Sequence, residues 1–198
     1  MELEVVSALL VFSFVSSVTP GPNNFMLLAS GVNFGLRRTL PHMVGIAFGF
    51  FSLLLSIGLG LGALFSAFPQ LQLVMKICGG TYLVYLAWKI ATSRSMGKSN
   101  DETDQPMTFL QAAAFQWVNP KAWVMGMTAM AIYSTTAAPY LSVLIVAMGF
   151  VTMAVPTFYI WAGFGVALRG FLSDPARLKW FNIAMGVALV VTLWPMLR

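Results

Sequence analysis

The sequence predicts an all-α membrane protein of about six transmembrane helices, built as two inverted three-helix repeats with broken first and fourth helices. Of its 198 residues, 59% are hydrophobic and only 9% are charged, whereas a soluble domain is about one quarter charged. The ranges 5–36, 39–75 and 122–168 contain no Asp, Glu, Lys or Arg. A helix needs roughly 20 apolar residues to cross a bilayer, so these ranges hold several spans, and we expect them to contact lipid.

Six apolar segments divide the chain. The predicted spans cover residues 5–31, 41–64, 71–90, 109–131, 139–168 and 178–196. Pro20-Gly21-Pro22 interrupts the first span and Asn119-Pro120 the fourth, while Pro156 predicts a kink in the fifth, because proline removes a helical hydrogen bond. We therefore predict one membrane domain, with a first repeat over 1–91, a short cytoplasmic linker over 92–108 and a second repeat over 109–198.

The distribution of basic residues predicts the orientation in the bacterial inner membrane. Three loops hold Arg37, Arg38, Lys89, Arg94, Lys98, Arg169, Arg177 and Lys179, and the opposite side holds only Arg198. The positive-inside rule places these loops in the cytoplasm and both termini in the periplasm. An arrangement of five spans with a re-entrant N-terminal segment would move the N-terminus inside, and it stays open. Because the positive charge lies in short loops, we expect no nucleic-acid partner.

An internal repeat relates the two halves. An offset of 100 residues aligns Val18 with Val118, Pro20 with Pro120 and Gly49 with Gly149, and an offset of 106 aligns Gly80 with Gly186 and Trp88 with Trp194. Each half contains three spans. Because three is an odd number, the second half enters the membrane from the side opposite to the first. Secondary transporters with this inverted plan hold their substrates near the midplane, at discontinuous helices.

The first break carries several polar groups at the expected depth of the midplane. Its candidate site residues are Thr19, Pro20, Gly21, Pro22, Asn23 and Asn24, preceded by Ser16 and Ser17. The prolines free backbone carbonyls, which are costly in a membrane unless protein, water or a ligand satisfies them. The two asparagines could supply donors, or they could cap the helix that follows and present its positive end to a carboxylate.

The second break adds amides and a cation. Its candidate site residues are Gln116, Asn119, Pro120 and Lys121. No acidic residue in any predicted span could pair with Lys121. An intramembrane lysine indicates a functional site. A substrate carboxylate or the carbonyls freed by the breaks are its natural partners. Tyr82, which shares a face of the third span with Tyr85, is a further candidate for lining the pathway; simple packing is the alternative.

Other classes of function find little support. The chain has no phosphate-binding loop, and Cys78 and His42 are the only residues of their types. We therefore expect no metal, no cofactor and no enzymatic activity, since a membrane-embedded enzyme would need an acid–base or nucleophilic constellation. Without Asp or Glu in a predicted span, the substrate is expected to be neutral, zwitterionic or anionic. The residue that would carry a coupled proton stays unidentified.

These motifs resemble the LysE/RhtB superfamily of bacterial amino-acid exporters. The run from Thr19 to Asn24, followed by Gly31 and Gly35, is similar to that family's first-helix signature, and 116–123 is similar to its fourth-helix motif. The stretch 82–89 is similar to the third helix of the cysteine and O-acetylserine exporter branch. The resemblance implies export of small neutral amino acids or derivatives, of the cysteine, O-acetylserine, homoserine or threonine class, by proton antiport.

Two departures from the superfamily narrow this expectation. Members that export basic amino acids carry an intramembrane aspartate, which this chain lacks, and relatives that pass electrons use paired cysteines, whereas Cys78 is single. The leading hypothesis is therefore a secondary exporter of neutral amino acids. A non-transporting membrane scaffold or subunit, in which the breaks only serve packing, is the alternative, and a homodimer is left open.

Overall fold

The structure, a computed structural model, describes residues 2–94, 96 and 105–194. Its helices are α1 (Leu3–Val18), α2 (Pro22–Phe34), α3 (Leu36–Ser56), α4 (Gly62–Ala67), α5 (Pro69–Thr92), α6 (Phe109–Val118), α7 (Pro120–Tyr133), α8 (Pro139–Leu168) and α9 (Pro175–Val191). These described residues contain no β-strand, which confirms the all-α prediction. Most of the predicted linker, with Lys98, and the C-terminal Arg198 lie outside the described residues.

Length and composition identify fewer spanning helices than the six predicted. Among the described helices, Leu36–Leu64, Gln70–Thr92 and Pro139–Leu168 are long and apolar enough to cross a membrane alone. The pair α1 and α2, bent by 60°, is a fourth candidate, either as a broken span or as a re-entrant loop. The helices α6, α7 and α9 have 10, 14 and 17 residues, so each is shorter than a full span. The six-span inverted repeat stays a prediction.

Both predicted breaks are confirmed. Thr19, Pro20 and Gly21 separate α1 from α2, and Asn119 separates α6 from α7. Pro22 and Pro120 are the first residues of the helices that follow. Proline is favoured at that position because its missing N–H has no intrahelical acceptor there and its fixed φ suits a helix.

The predicted second span is less regular than its sequence indicates. A π-helical segment, Ile57–Leu61, joins α3 to α4. Within it, Gly60 has a φ of 116°, which breaks the helical path. Glycine adopts this conformation without the steric cost that a Cβ would bring. The helix also begins at Leu36, five residues before the predicted start, because Gly35, with a φ of 79°, turns the chain directly from α2 into α3.

Glycines bring the long helices into backbone contact. A Cβ on Gly45 or Gly49 of α3 would collide with the backbone of α6 at Phe109 or Ala113, so this pair of small residues lets the two helices pack closely. Gly31 of α2 and Gly165 of α8 make the corresponding contact between those helices. The middle of the molecule is therefore a tight assembly of α2, α3, α6 and α8, around which the breaks are held.

The outer faces of the helices are apolar. Val44 and Phe48 of α3 are 56% and 57% exposed, and Leu144 and Met148 of α8 are 45% and 52% exposed. Each pair is four residues apart and so forms a stripe on one helix face. Such continuous apolar surface mixes with lipid tails and is unfavourable in water, as the composition predicts.

Candidate functional site

The two helix breaks meet at the side chain of Lys121. Its Nζ donates hydrogen bonds to the backbone oxygen of Thr19 at 2.7 Å, to Thr19 Oγ1 at 3.0 Å and to the backbone oxygen of Pro20 at 3.4 Å. Carbonyls freed by a break were one of the two partners expected for this lysine. Lys121 therefore joins α7 to the non-helical backbone between α1 and α2.

Side chains from two further helices complete the first break. Asn24 Nδ2 donates to the backbone oxygens of Ser17 at 2.9 Å and Thr19 at 2.7 Å, and Trp161 Nε1 of α8 donates to that of Val18 at 3.2 Å. The Thr19 hydroxyl donates to Ser16 O, and the Phe25 N–H to Gly21 O. Every carbonyl from residue 16 to 21 thus has a donor, as backbone inside a membrane requires.

An amide pair links the first break to α6. Asn23 Nδ2 donates to Gln116 Oε1 at 2.8 Å, and Gln116 Nε2 donates back to Asn23 Oδ1 at 3.2 Å. Gln116 is fully buried, and its Nε2 also donates to the backbone oxygen of Ala112 at 3.0 Å. The pair fixes the positions of two amides that are 93 residues apart in sequence, and both residues line the space described below.

The two asparagines of the first break do not cap α2. Its N-cap is Gly21, and no side chain caps this end, because Asn23 and Asn24 are engaged with Gln116 and with carbonyls. At the second break, by contrast, Asn119 caps α7, and its side chain accepts from the Lys121 N–H at 3.1 Å. The N-terminus of α2 carries the positive end of a helix dipole. No side chain caps this end at the site.

A small cavity, the break cavity, lies between these groups. Its volume is about 40 Å³, enough for a few water molecules and too small for an amino acid. Its polar lining is Ser16, Ser17, Asn23, Asn24, Gln116, Asn119 and Lys121, and its apolar lining includes Gly21, Pro22, Ile46, Phe50, Met125, Ala154 and Phe158. Ser17 Oγ is buried and has no hydrogen-bond partner among the described residues.

A much larger apolar groove adjoins the break cavity. It has a volume of about 880 Å³ and is lined by residues of α1, α2, α7 and α9 and by residues just beyond α9, among them Val15, Phe25, Val124, Val191 and Trp194. Lys121, Gly21, Pro22 and Met125 line both spaces. The Lys121 side chain, which lies directly against Gly21, therefore forms part of the wall between the break cavity and the groove.

The predicted site residues divide into three groups. Seven of them line the break cavity: Gly21, Pro22, Asn23, Asn24, Gln116, Asn119 and Lys121. Thr19, Pro20 and Pro120 line the groove. Tyr82 lines neither space; it packs against Phe115, with ring centroids 5.8 Å apart, so it adjoins Gln116 through a neighbour. Its role in the pathway stays a prediction.

The helices α3 and α8 also contribute to the site, which the sequence alone does not predict. Ile46 and Phe50 of α3 and Ala154 and Phe158 of α8 supply most of the apolar wall, and Trp161 completes the first break. These residues lie in uniformly apolar segments and carry no local signal. The two breaks thus bring an ammonium group, amides and backbone carbonyls together at one cavity, and an ammonium group is a donor suited to a carboxylate.

Comparison with known proteins gives a family and several relatives. The family model described as "LysE type translocator" matches residues 14–192. A cysteine/O-acetylserine efflux protein of Klebsiella pneumoniae is 31% identical over 129 residues, and one of Escherichia coli K12 is 33% identical over 132 residues. In both cases the match covers 65% of this chain and 65% of the relative's length. No solved structure matches.

Proposed function

Because the chain belongs to the LysE type translocator family, we propose that it exports small neutral amino acids or their derivatives from the cytoplasm. Members of this family are integral proteins of the bacterial inner membrane and are transporters, not enzymes. The observation that carries the proposal is the meeting of two broken helices at Lys121, beside a polar cavity. The names of the relatives favour cysteine and O-acetylserine within a class that also includes homoserine and threonine.

An amino acid fits the break by exchanging partners with Lys121. In the structure, this lysine binds three neutral oxygens of Thr19 and Pro20. A carboxylate is a stronger acceptor for an ammonium group than a carbonyl is, so the substrate carboxylate takes over Lys121. The carbonyl oxygens that the lysine leaves then accept hydrogen bonds from the substrate's own ammonium group. In a bound zwitterion, the carboxylate thus pairs with Lys121 and the ammonium group pairs with the carbonyl oxygens, so that each charged group has a partner.

The surrounding groups favour this orientation. The uncapped N-terminus of α2 adds its dipole at the carboxylate end. Ser17 Oγ and the free lone pairs of Asn23 and Gln116 offer acceptors and donors for the polar part of the substrate. No Asp or Glu occurs in the predicted spans, so a substrate with a second positive charge would meet Lys121 without a counter-ion. Lysine and arginine are therefore excluded from the proposed range.

The small cavity represents an occluded conformation in this proposal. An amino acid enters only when the Asn23–Gln116 pair and the Lys121–Thr19 contact separate and the breaks move apart. Packing supports the inverted repeat that such a movement would use: α3 packs along α6, and α1 packs along α8. With the offset of 100 residues, these two helix pairs correspond. The positive-inside rule places the basic loops in the cytoplasm. The resemblance to the superfamily implies that export is driven by proton antiport.

Transport in proteoliposomes tests the proposal. Purified protein should exchange labelled cysteine, O-acetylserine, homoserine or threonine across the bilayer, and Lys121→Met should abolish the exchange. Lys76→Met is the matched control, because it removes another lysine from a membrane helix without touching the break cavity. If the wild-type protein exchanges none of these compounds, the alternative of a non-transporting scaffold or subunit replaces the proposal.

A further inference from the structure

A second cavity lies next to the break cavity, along α2 and α3. It has a volume of about 50 Å³ and lies between α2, α3, α5 and the segment 105–107. Its polar lining is Ser30, Asn33, His42, Lys89, Ser93 and Gln105. We call it the histidine cavity, because His42 of α3 is 1% exposed and faces it. A volume of this size holds a few water molecules.

His42 differs from its polar neighbours in having no partner. Asn33 exchanges hydrogen bonds with Asn182 of α9 at 2.9 and 3.1 Å, and the hydroxyls of Ser30 and Thr39 are 2.8 Å apart. Among the described residues, neither ring nitrogen of His42 has a hydrogen-bond partner. Buried polar groups are almost always paired, so the two ring nitrogens of His42 require a partner that the described residues do not supply.

The two cavities share the same helix faces. On α3, His42 lines the histidine cavity and Ile46 lines the break cavity. These residues are four apart and therefore lie about one helical turn, roughly 6 Å, from each other along the axis. On α2, Asn23 lines the break cavity and Met26 the histidine cavity, three residues and roughly 4.5 Å apart along the axis. A change of charge at His42 is thus next to the space that the substrate occupies.

We propose that His42 is the proton-binding residue of the exporter, in a water-accessible cavity on the cytoplasmic side of the substrate. The inference rests on the proposed function, since it assigns the coupled proton of that same transport cycle. His42 is the single histidine of the chain, and the predicted spans contain no Asp or Glu. Histidine is the side chain whose charge ordinarily changes near neutral pH.

The charged surroundings of His42 are simple. Lys89 is the one charged side chain among the described residues that line the cavity, and its Nζ donates to the backbone oxygen of Gln105 at 3.3 Å. The neighbouring helices α2, α6 and α8 contribute no charged or titratable side chain to this lining, and Arg37 and Arg38 of α3 are exposed. A protonated imidazole would therefore meet no carboxylate among the described residues that line the cavity.

The proton and the substrate use the two cavities in turn. While the transporter faces outward, a proton from the periplasm binds to a lone pair of the imidazole, and the resulting cation needs acceptors for both N–H groups. Because the described protein groups provide none, the acceptors are water admitted from the cytoplasm, and the cavity opens on that side. The proton then leaves to that water, the neutral imidazole allows closure, and the substrate moves outward. One N–H bond forms and the same bond breaks in each cycle.

Transport by a His42→Gln variant tests the assignment. Glutamine keeps a polar side chain of similar reach and does not titrate. We expect uptake driven by a pH gradient to fall by about tenfold or more, while amino-acid exchange at equal pH, which needs no proton movement, stays within about twofold of wild type. Gradient-driven uptake at the wild-type rate would overturn the assignment. Wild-type protein that exchanges no amino acid would overturn the proposed function instead.

A spectroscopic measurement does not depend on a variant. Protein labelled with ¹⁵N-histidine and purified through a tag without histidine gives one imidazole signal. We expect its chemical shifts to change with pH, with a midpoint that falls when substrate is added, because antiport requires proton and substrate to oppose each other. An imidazole whose shifts do not change with pH, or whose midpoint ignores saturating substrate, would overturn the assignment even if the variant fails to fold.

Discussion

The Nζ atom of Lys121 lies 2.7 Å from the backbone oxygen of Thr19, so the cation of one broken helix stabilises the open backbone of the other. The two residues are 102 positions apart in sequence. The contact needs no acidic counter-ion, and every partner in it is neutral. It is therefore held less firmly than a salt bridge would be, which suits an interaction that a substrate has to replace.

Gly21 is predicted to control the position of this lysine. A Cβ at Gly21 would lie 2.9 Å from Lys121 Cδ and 3.0 Å from Nζ, while its φ of −175° is open to any residue. We expect Gly21→Ala to leave the fold intact and to weaken substrate exchange by about tenfold, since it displaces the end of a flexible side chain. Exchange kinetics measure the effect. Gly163→Ala, where a Cβ meets nothing within 4 Å, is the control.

Asn24 is predicted to stabilise the first break. Its Nδ2 supplies donors to the carbonyls of Ser17 and Thr19, so Asn24→Ala leaves the carbonyl of Ser17 without its donor. A buried acceptor left unpaired costs about 1–3 kcal/mol. Thermal unfolding in detergent should show a lower midpoint for this variant. Ser7→Ala, which removes an exposed hydroxyl bond near the N-terminus, should unfold like the wild type; equal midpoints for all three would refute the role.

The Asn23–Gln116 pair is predicted to act as one unit. Each amide donates to the other, so removing one leaves its partner unpaired, whereas removing both leaves no unpaired amide. In a double-mutant cycle with Asn23→Ala and Gln116→Leu, we expect the double variant to lose less stability than the two single variants combined. The coupling free energy should be about 0.5–3 kcal/mol. Additive losses within error would show that the two amides act independently.

Gly165 is predicted to be intolerant of any side chain. A Cβ there would collide with the backbone oxygen of Leu28, where α8 meets α2. Overpacking of this kind typically costs about 1–3 kcal/mol, so Gly165→Ala should lower the unfolding midpoint or the yield of folded protein. Gly163→Ala, two residues away on the same helix in open space, should do neither. Similar losses of stability from both substitutions would contradict a specific collision at Gly165 and would indicate a general effect of alanine in α8.

Much of the site could be predicted because its residue types are unusual in a membrane. Pro20, Pro22 and Pro120 mark both breaks to the residue, and Lys121 is exceptional in an apolar segment. The partners of the asparagines could not be predicted, because local capping and a bond to a distant carbonyl or amide use the same groups. Asn119 caps its helix, but Asn23 and Asn24 do not.

The residues of apolar helices that contact the site could not be predicted from the sequence. Trp161 and Ile46 reach the site from helices whose sequences are apolar throughout. The π-helical segment at Ile57–Leu61 was also missed, since one glycine among several does not show which of them takes a positive φ. His42, which the sequence shows only as a lone histidine, acquires meaning from its burial and its lack of a partner.

Competition between a substrate and its neutralised analogues tests the central claim most directly. The substrate exchanged by the wild-type protein is compared with its carboxamide, which lacks the carboxylate, and with its N-acetyl derivative, which lacks the ammonium group. We expect the parent amino acid to inhibit exchange at concentrations at least about tenfold lower than either analogue. In Lys121→Arg, which keeps the positive charge and some exchange, the advantage over the carboxamide should shrink as the contact geometry changes. Equal inhibition of the wild type by the amino acid and its carboxamide would contradict a carboxylate site at Lys121.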